Sequence, residues 1–355
     1  MATSVTMQRD TNDRPWVIGL GVLVVIGIIA WIVQLALGFD VLGVGQSISW
    51  GAYIAVFFLL AGAGSGLVIL AALGDLGAFP ELKEHRRSAL IAALGCYVAA
   101  GVTVLMDVGK PLRALSMIYS PNFKSMFVWD FYLLALSIIV AAVYLYRAPT
   151  RSIAGVAAAA ATLLMIVEGW ILTVSAGTSL WHSSLIPVEF LIEGLLTALC
   201  LLLLKHGADG RVGEFARKGV VILLPVVFAL SFVEMVAVLY GADAEAAAAM
   251  KLLAGGSLAP LYWGALILGV VIPFVLLVRA GGGVGTLRVA AVLTIAGIFS
   301  NKLNLLVAGR AIPFMQPEAS YTPSVVEIGG VIGVLGLAAL LFVLGKRFLP
   351  VSSEA

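Results

Sequence analysis

The sequence predicts an all-α, polytopic integral membrane protein of about ten spanning helices. Three observations carry this: the composition, the length of the apolar runs and the placement of the cationic residues. Of the 355 residues, 62% are hydrophobic and 11% charged, against about 45–50% and about 25% in ordinary soluble domains. Mean hydropathy is +1.11. No soluble core of this length needs so much apolar surface. The formal net charge of +2 is scattered rather than striped, which argues against nucleic acid as a partner. Cys96 and Cys200 lie far apart inside apolar runs and read as small buried hydrophobes. Two thiols are too few for a self-contained iron–sulfur cluster or zinc site, which needs about four ligands.

About 20 apolar residues cross a bilayer as a helix, and ten such runs follow one another: 16–37, 48–76, 88–108, 126–147, 152–176, 185–204, 217–240, 260–279, 287–309 and 324–346. The first is too long for the apolar core of a signal peptide and reads as a retained helix behind a cytoplasmic tail, residues 1–15. The second carries Gly62, Gly64 and Gly66, small residues that let a neighbouring helix approach closely. The fifth carries an alanine face, Ala157 to Ala161. Between runs, residues 109–124 and 244–258 read as amphipathic or interfacial. No stretch is long enough for a soluble domain.

Lys and Arg set orientation. Fifteen of the 21 fall on the N-terminal side of the spans, five on the opposite side (Lys110, Arg113, Lys124, Lys251 and Arg310), and Lys302 lies within a span. This bias puts both termini in the cytoplasm and supports an even number of spans. It also assigns depth to the other polar residues. Asp107, Asp130, Glu168, Glu189, Glu193, Glu234, Lys302, Asn304 and Glu327 all fall in the extracytoplasmic half; only Asp75 sits at an inner end. Ionisable groups inside a span are costly and mark function or an interior ion pair, although those near helix ends can also reach the interface by snorkelling. Glu189 and Glu193 are four residues apart and share a helix face, so the pair can carry a proton, unless Lys302 or a hydroxyl neutralises one of them. The three histidines, His85, His182 and His206, do not face one another at a common depth in this reading. That argues against a bis-histidine haem.

Several motifs together resemble a known family. The second run begins Trp50-Gly51-Ala52-Tyr53-Ile54 and continues Phe57-Phe58 into the glycine run. The third ends Met106-Asp107-Val108-Gly109-Lys110-Pro111, followed by Ser120-Pro121-Asn122-Phe123 and Trp129. Leu180-Trp181-His182-Ser183, Pro187 and Phe190 join the fifth and sixth. Asn301, Asn304 and Gly309 precede Tyr321-Thr322-Pro323-Ser324 and Glu327-Ile328. Over about residues 47 to 350 the chain resembles the polysulfide reductase membrane-subunit family, also called the NrfD or PsrC family. The D-x-G-K-P signature followed by S-P-N-F is the most specific part.

The resemblance implies two four-helix bundles, residues 47–177 and 178–310, with residues 16–46 and 311–355 flanking. It implies a quinone-reactive anchor in the cytoplasmic membrane of a bacterium or archaeon. Such an anchor holds no haem or iron–sulfur cluster. It exchanges electrons between membrane quinone, menaquinone or ubiquinone, and an extracytoplasmic ferredoxin-like iron–sulfur protein that serves a molybdopterin or multihaem catalytic partner. The matching quinone-site positions are Trp50, Tyr53, Phe57, Asp107, Trp129 and the region of Glu168, Trp181 and His182. Phe57 stands where polysulfide reductase has a quinone-contacting histidine, which leaves Asp107 and Tyr53 to supply polar recognition. Quinol oxidation releases two protons with two electrons, so the site needs a proton acceptor. Asp107 is the first choice, with Glu168 behind it; an ion pair with Lys110 or Arg113 is the structural reading of Asp107. Trp181 and His182 can instead belong to the docking surface for the iron–sulfur protein. Glu189, Glu193, Glu234, Lys302, Glu327 and Asp75 are the proton-path positions. A secondary transporter or proton channel built on the same carboxylates is the alternative, disfavoured by the one-sided distribution of polar residues.

Overall fold

The computed structural model describes residues 13–349, apart from 115, 148, 176–177, 208, 280–282 and 313–318; the tail through residue 12, with Arg9, lies outside the described residues. Ten helices are long and apolar enough to span a membrane: α1 (Arg14–Leu37), α2 (Ala52–Leu76), α3 (Arg86–Asp107), α4 (Met126–Tyr146), α5 (Arg151–Thr173), α6 (Ile186–His206), α7 (Gly210–Leu239), α8 (Ala259–Arg279), α9 (Val284–Ala311) and α10 (Val325–Phe348). They follow the ten apolar runs in order. The largest difference is at α7, which starts seven residues before its apolar run because the amphipathic segment from Gly210 continues the helix. The amphipathic stretches also fold as helices: Pro111–Ala114, Ser116–Tyr119 and Ala244–Gly255.

Capping follows local chemistry. Ser324 accepts the Glu327 amide at 3.1 Å while the Glu327 carboxylate accepts the Ser324 amide at 3.1 Å, a reciprocal capping box that starts α10. Thr150 caps α5 through the Ile153 amide. Asp243 accepts the amides of Glu245 and Ala246 at the start of the interfacial helix, and these bonds hold its carboxyl below the usual carboxylate range.

α2 is buried from Ala52 to Ala72. It packs against α3 and α5 on one side and α6 and α9 on the other. The α2–α6 crossing depends on absent side chains: a Cβ on Gly66 would collide with the Gly194 carbonyl oxygen, and one on Gly194 would collide with Met165. α1 and α10 pair antiparallel through Gly27 and Gly333, and α10 in turn packs on α3. α8 carries a π-helical turn, Ile267–Val271, in which Gly269 meets Gly297 of α9. These contacts replace the hydrophobic drive that is missing between helices in lipid.

Candidate functional site

At the end of the bundle opposite the start of α1 and the end of α10, the helices α2, α3 and α4 enclose an apolar cavity of about 420 Å³. Trp50, Ile54, Phe57 and Phe58 reach it from α2 and the residues just before it; Val104, Leu105, Asp107 and Val108 from α3; Phe127, Asp130, Phe131 and Leu134 from α4. The spacings are those of one helix face, i, i+3, i+4 and i+7. Asp107 and Asp130 are the carboxylates in its wall. Asp130 is 8% exposed, and its Oδ1 has no hydrogen-bond partner among the described residues. Gln34 of α1, itself buried, donates to the Met106 carbonyl at 2.6 Å and so fixes the end of α3 that presents Asp107.

A row of buried ionisable groups leads from this wall across the bundle. Glu168 of α5 is fully buried, neither of its oxygens accepts a hydrogen bond among the described residues, and Asp130 and Lys302 are its charged neighbours. Lys302 Nζ of α9 lies 2.9 Å from Glu193 of α6 and 3.4 Å above the centre of the Phe190 ring. Asn301 donates to the other Glu193 oxygen at 2.8 Å. Glu189, one turn away, has Glu193, Glu234 and Lys302 as charged neighbours. A void of about 10 Å³ beside Glu193, Asn301, Ser231 and Thr294 is about the size of one water. Both Glu168 oxygens, one oxygen each of Glu189 and Glu234, and both polar side-chain atoms of Asn304 are buried without a hydrogen-bond partner among the described residues.

The structure brings together Trp50, Phe57 and Asp107 at the cavity, and Glu168, Glu189, Glu193, Glu234 and Lys302 in the row. It places the other predicted residues elsewhere. Tyr53 is one helical step from the cavity face; its hydroxyl donates to the Val326 carbonyl of α10 at 3.5 Å, with Glu327 and Asp107 as charged neighbours. Trp129 is likewise out of phase, half exposed, and its indole donates to the Phe123 carbonyl. Trp181 is fully buried and so forms no docking surface. It stacks on Trp50 at 5.5 Å and donates to the Leu305 carbonyl at 2.8 Å, which buttresses the cavity wall from behind. His182 is exposed and touches the Ser175 carbonyl. His85 and His206, read from the sequence as not facing one another, do meet: the packing of α3 against the end of α6 brings their ring centroids to 4.3 Å. Glu327 is held by the Gly43 amide at 2.6 Å and by the Tyr321 hydroxyl at 2.9 Å as well as by its own cap. Burial and the Glu327 charge push the Tyr321 hydroxyl up. Asp75 accepts from Tyr144 at 2.7 Å and pairs with Arg86 at 3.7 Å. Glu327 and Asp75 are thus each held by partners of their own, apart from the row. Asp130, Phe127 and Phe131 are the cavity residues that sequence reasoning underweighted; their signal was the i, i+3, i+4 phase opposite Trp129.

The fold and site define a multi-pass helical membrane protein with a carboxylate-walled apolar cavity near one membrane face. The family model described as polysulphide reductase, NrfD, matches residues 40–313, and the chain belongs to that family. It is similar to a Halobacterium salinarum protein assigned as a membrane subunit of dimethyl sulfoxide reductase, 27% identical over 99% of this chain and 94% of that one. It is also similar to the integral membrane subunit of an Hdr-like menaquinol oxidoreductase of Archaeoglobus fulgidus, 24% identical over 95% and 93%. A selenate reductase subunit of Mesobacillus selenatarsenatis is 20% identical over 94% and 93%.

Proposed function

We propose that this chain is the quinone-reactive membrane anchor of a multi-subunit respiratory oxidoreductase. In this reading it exchanges electrons between membrane quinone and an extracytoplasmic iron–sulfur protein, which serves a molybdopterin or multihaem catalytic partner. The observation that carries the reading is the cavity: an apolar space of about 420 Å³ with Asp107 and Asp130 in its wall. Ligand sites combine apolar lining with a few placed polar groups in this way. The aromatic wall of Trp50, Phe57, Phe58, Phe127 and Phe131 fits a quinone ring and the start of its tail. Asp107 is placed to hydrogen-bond a ring oxygen and to take its proton. The relative named as part of a menaquinol oxidoreductase supports the same substrate class.

The buried row offers a route for protons away from the cavity. Asp130 stands in the wall, Glu168 behind it, and Lys302, Glu193 and Glu189 lead toward Glu234. Movement of protons along this row, and their net translocation across the membrane, belongs to the same proposal. So do the cytoplasmic placement of both termini and the division into two four-helix bundles.

The test is quinol-analogue binding to the purified chain, wild type against Asp107→Asn. Saturable binding weakened roughly tenfold or more in the variant is the expected result, the size of a lost hydrogen bond involving a charged group. Absence of binding to a folded wild-type chain, both alone and in its complex, overturns the reading in favour of a transporter or a passive anchor.

A further inference from the structure

A second cavity, of about 280 Å³, lies in the other half of the bundle, between α2, α3, α6, α9 and α10. Nothing in the quinone reading uses it. Its walls are apolar: Leu59, Leu60, Leu67, Leu201, Leu335 and Phe342 are typical. Its one polar end is made by Ser88, at the start of α3, and Lys205, at the end of α6. The exposed Lys205 ammonium donates to the Ser88 hydroxyl at 2.7 Å, which fixes the charge at this mouth. The exposed Lys346, near the end of α10, is its charged neighbour. Asp75, at the same end of α2, is tied to Tyr144 and Arg86, and His85, just before α3, meets His206 at the end of α6 with ring centroids 4.3 Å apart.

A slot that is apolar along its length, apart from a Thr197 hydroxyl spent on the Glu193 carbonyl of its own helix, and cationic at its interfacial end matches one kind of molecule that a bilayer supplies in quantity. We propose that this cavity seats an acyl chain of an anionic phospholipid, with the phosphate held at Lys205, Ser88 and Lys346. Zwitterionic lipid offers the same chain but no net charge for the two ammoniums. A basic pocket between spanning helices is the usual way a lipid headgroup is recognised. The seated chain fills the space that separates α10 from α6 and α9 beside α2, so the lipid acts as a packing element between the flanking helix and the bundle core.

The test uses the full chain in mixed micelles, with native mass spectrometry to count retained lipid and circular dichroism to verify folding. Phosphatidylglycerol, phosphatidylcholine and menaquinone are offered separately, and inorganic phosphate is the headgroup control. The proposal expects one phosphatidylglycerol retained per chain, with phosphatidylcholine retained roughly tenfold less. The Lys205→Gln/Lys346→Gln variant should abolish that preference, since each lysine near the surface contributes on the order of a fivefold attraction. Ala339→Phe, which fills the slot and keeps both lysines, should lose retention of either lipid. Equal retention of the two lipids by wild type overturns the proposal. So does undiminished retention in folded Ala339→Phe, stoichiometric menaquinone that this substitution displaces, or inorganic phosphate competing as well as the lipid. Quinol-analogue binding measured in Asp107→Asn and in Ala339→Phe tells the two cavities apart, so the two readings fail separately.

Discussion

At the scale of single residues, the chemistry concentrates on carboxylates that have been taken out of water. A charge buried in a low-dielectric interior is tolerated when it is paired or when it exchanges a proton. Glu193 is paired, 2.9 Å from Lys302 and bound by Asn301. Glu168 is not hydrogen-bonded at all among the described residues. These two states predict different phenotypes. Lys302→Met leaves Glu193 buried without its cation and should lower stability by about 3–5 kcal/mol, whereas Lys302→Met with Glu193→Leu should recover much of the loss. Thermal or denaturant unfolding in detergent checks this, and equal losses in both variants would show that the pair contributes nothing. Glu168→Gln keeps shape and removes the exchangeable proton. If Glu168 carries protons from the cavity, quinol-analogue binding stays near wild type while quinol oxidation by the assembled complex falls roughly a hundredfold, the usual size of a lost proton-transfer group. Unchanged turnover would remove Glu168 from the route.

At the scale of elements, the helices are aligned by a few local devices. The capping box of α10 does two jobs, because Glu327 also receives the Gly43 amide and the Tyr321 hydroxyl, and Tyr321 in turn accepts the Ala52 amide at the start of α2. One carboxylate thereby fastens α10, the 39–51 connection and α2 at the cavity end. Ser324→Ala should cost about 1 kcal/mol, a normal cap loss. Glu327→Gln should cost more, because it weakens several charge-assisted bonds at once. Unfolding midpoints order the two, and a smaller effect for Glu327→Gln would separate this residue from the network. The same devices limit motion: Trp181 holds Trp50 from behind and Gln34 holds the end of α3, so two walls of the cavity are fixed before any ligand arrives.

At the scale of the whole molecule, α2 is the axis. It is buried from Ala52 to Ala72 and touches helices of both halves of the chain. Its close approach to α6 rests on Gly62, Gly66 and Gly194. Gly66→Val should therefore impair assembly of the two halves, seen as loss of monodisperse folded protein rather than as a modest shift in binding; normal yield and stability would mean that the halves adjust independently. The polar asymmetry also predicts a direction. The proposed orientation expects reporters fused at either end to report the cytoplasmic side, and the proposed quinol oxidation expects proteoliposomes of the complex to release protons on the cavity side.

The sequence by itself determined what depends on composition and local pattern: ten spans and their order. The bilayer forces backbone hydrogen bonds to close within each helix, so hydropathy alone specifies the elements. The D-x-G-K-P and S-P-N-F motifs gave the family. Tertiary structure decided which side chains meet. Tyr53 and Trp129 share motifs with cavity residues yet turn away from the cavity, because one residue along a helix is a rotation of about 100°. Trp181, a quinone-site or docking-surface position by sequence, is buried against Trp50. Asp130 looked like a helix-end carboxylate and stands in the cavity wall beside Glu168. Glu193 and Lys302, 109 positions apart in the chain, form an ion pair that no local pattern encodes, since only the packing of α6 on α9 brings them within 2.9 Å.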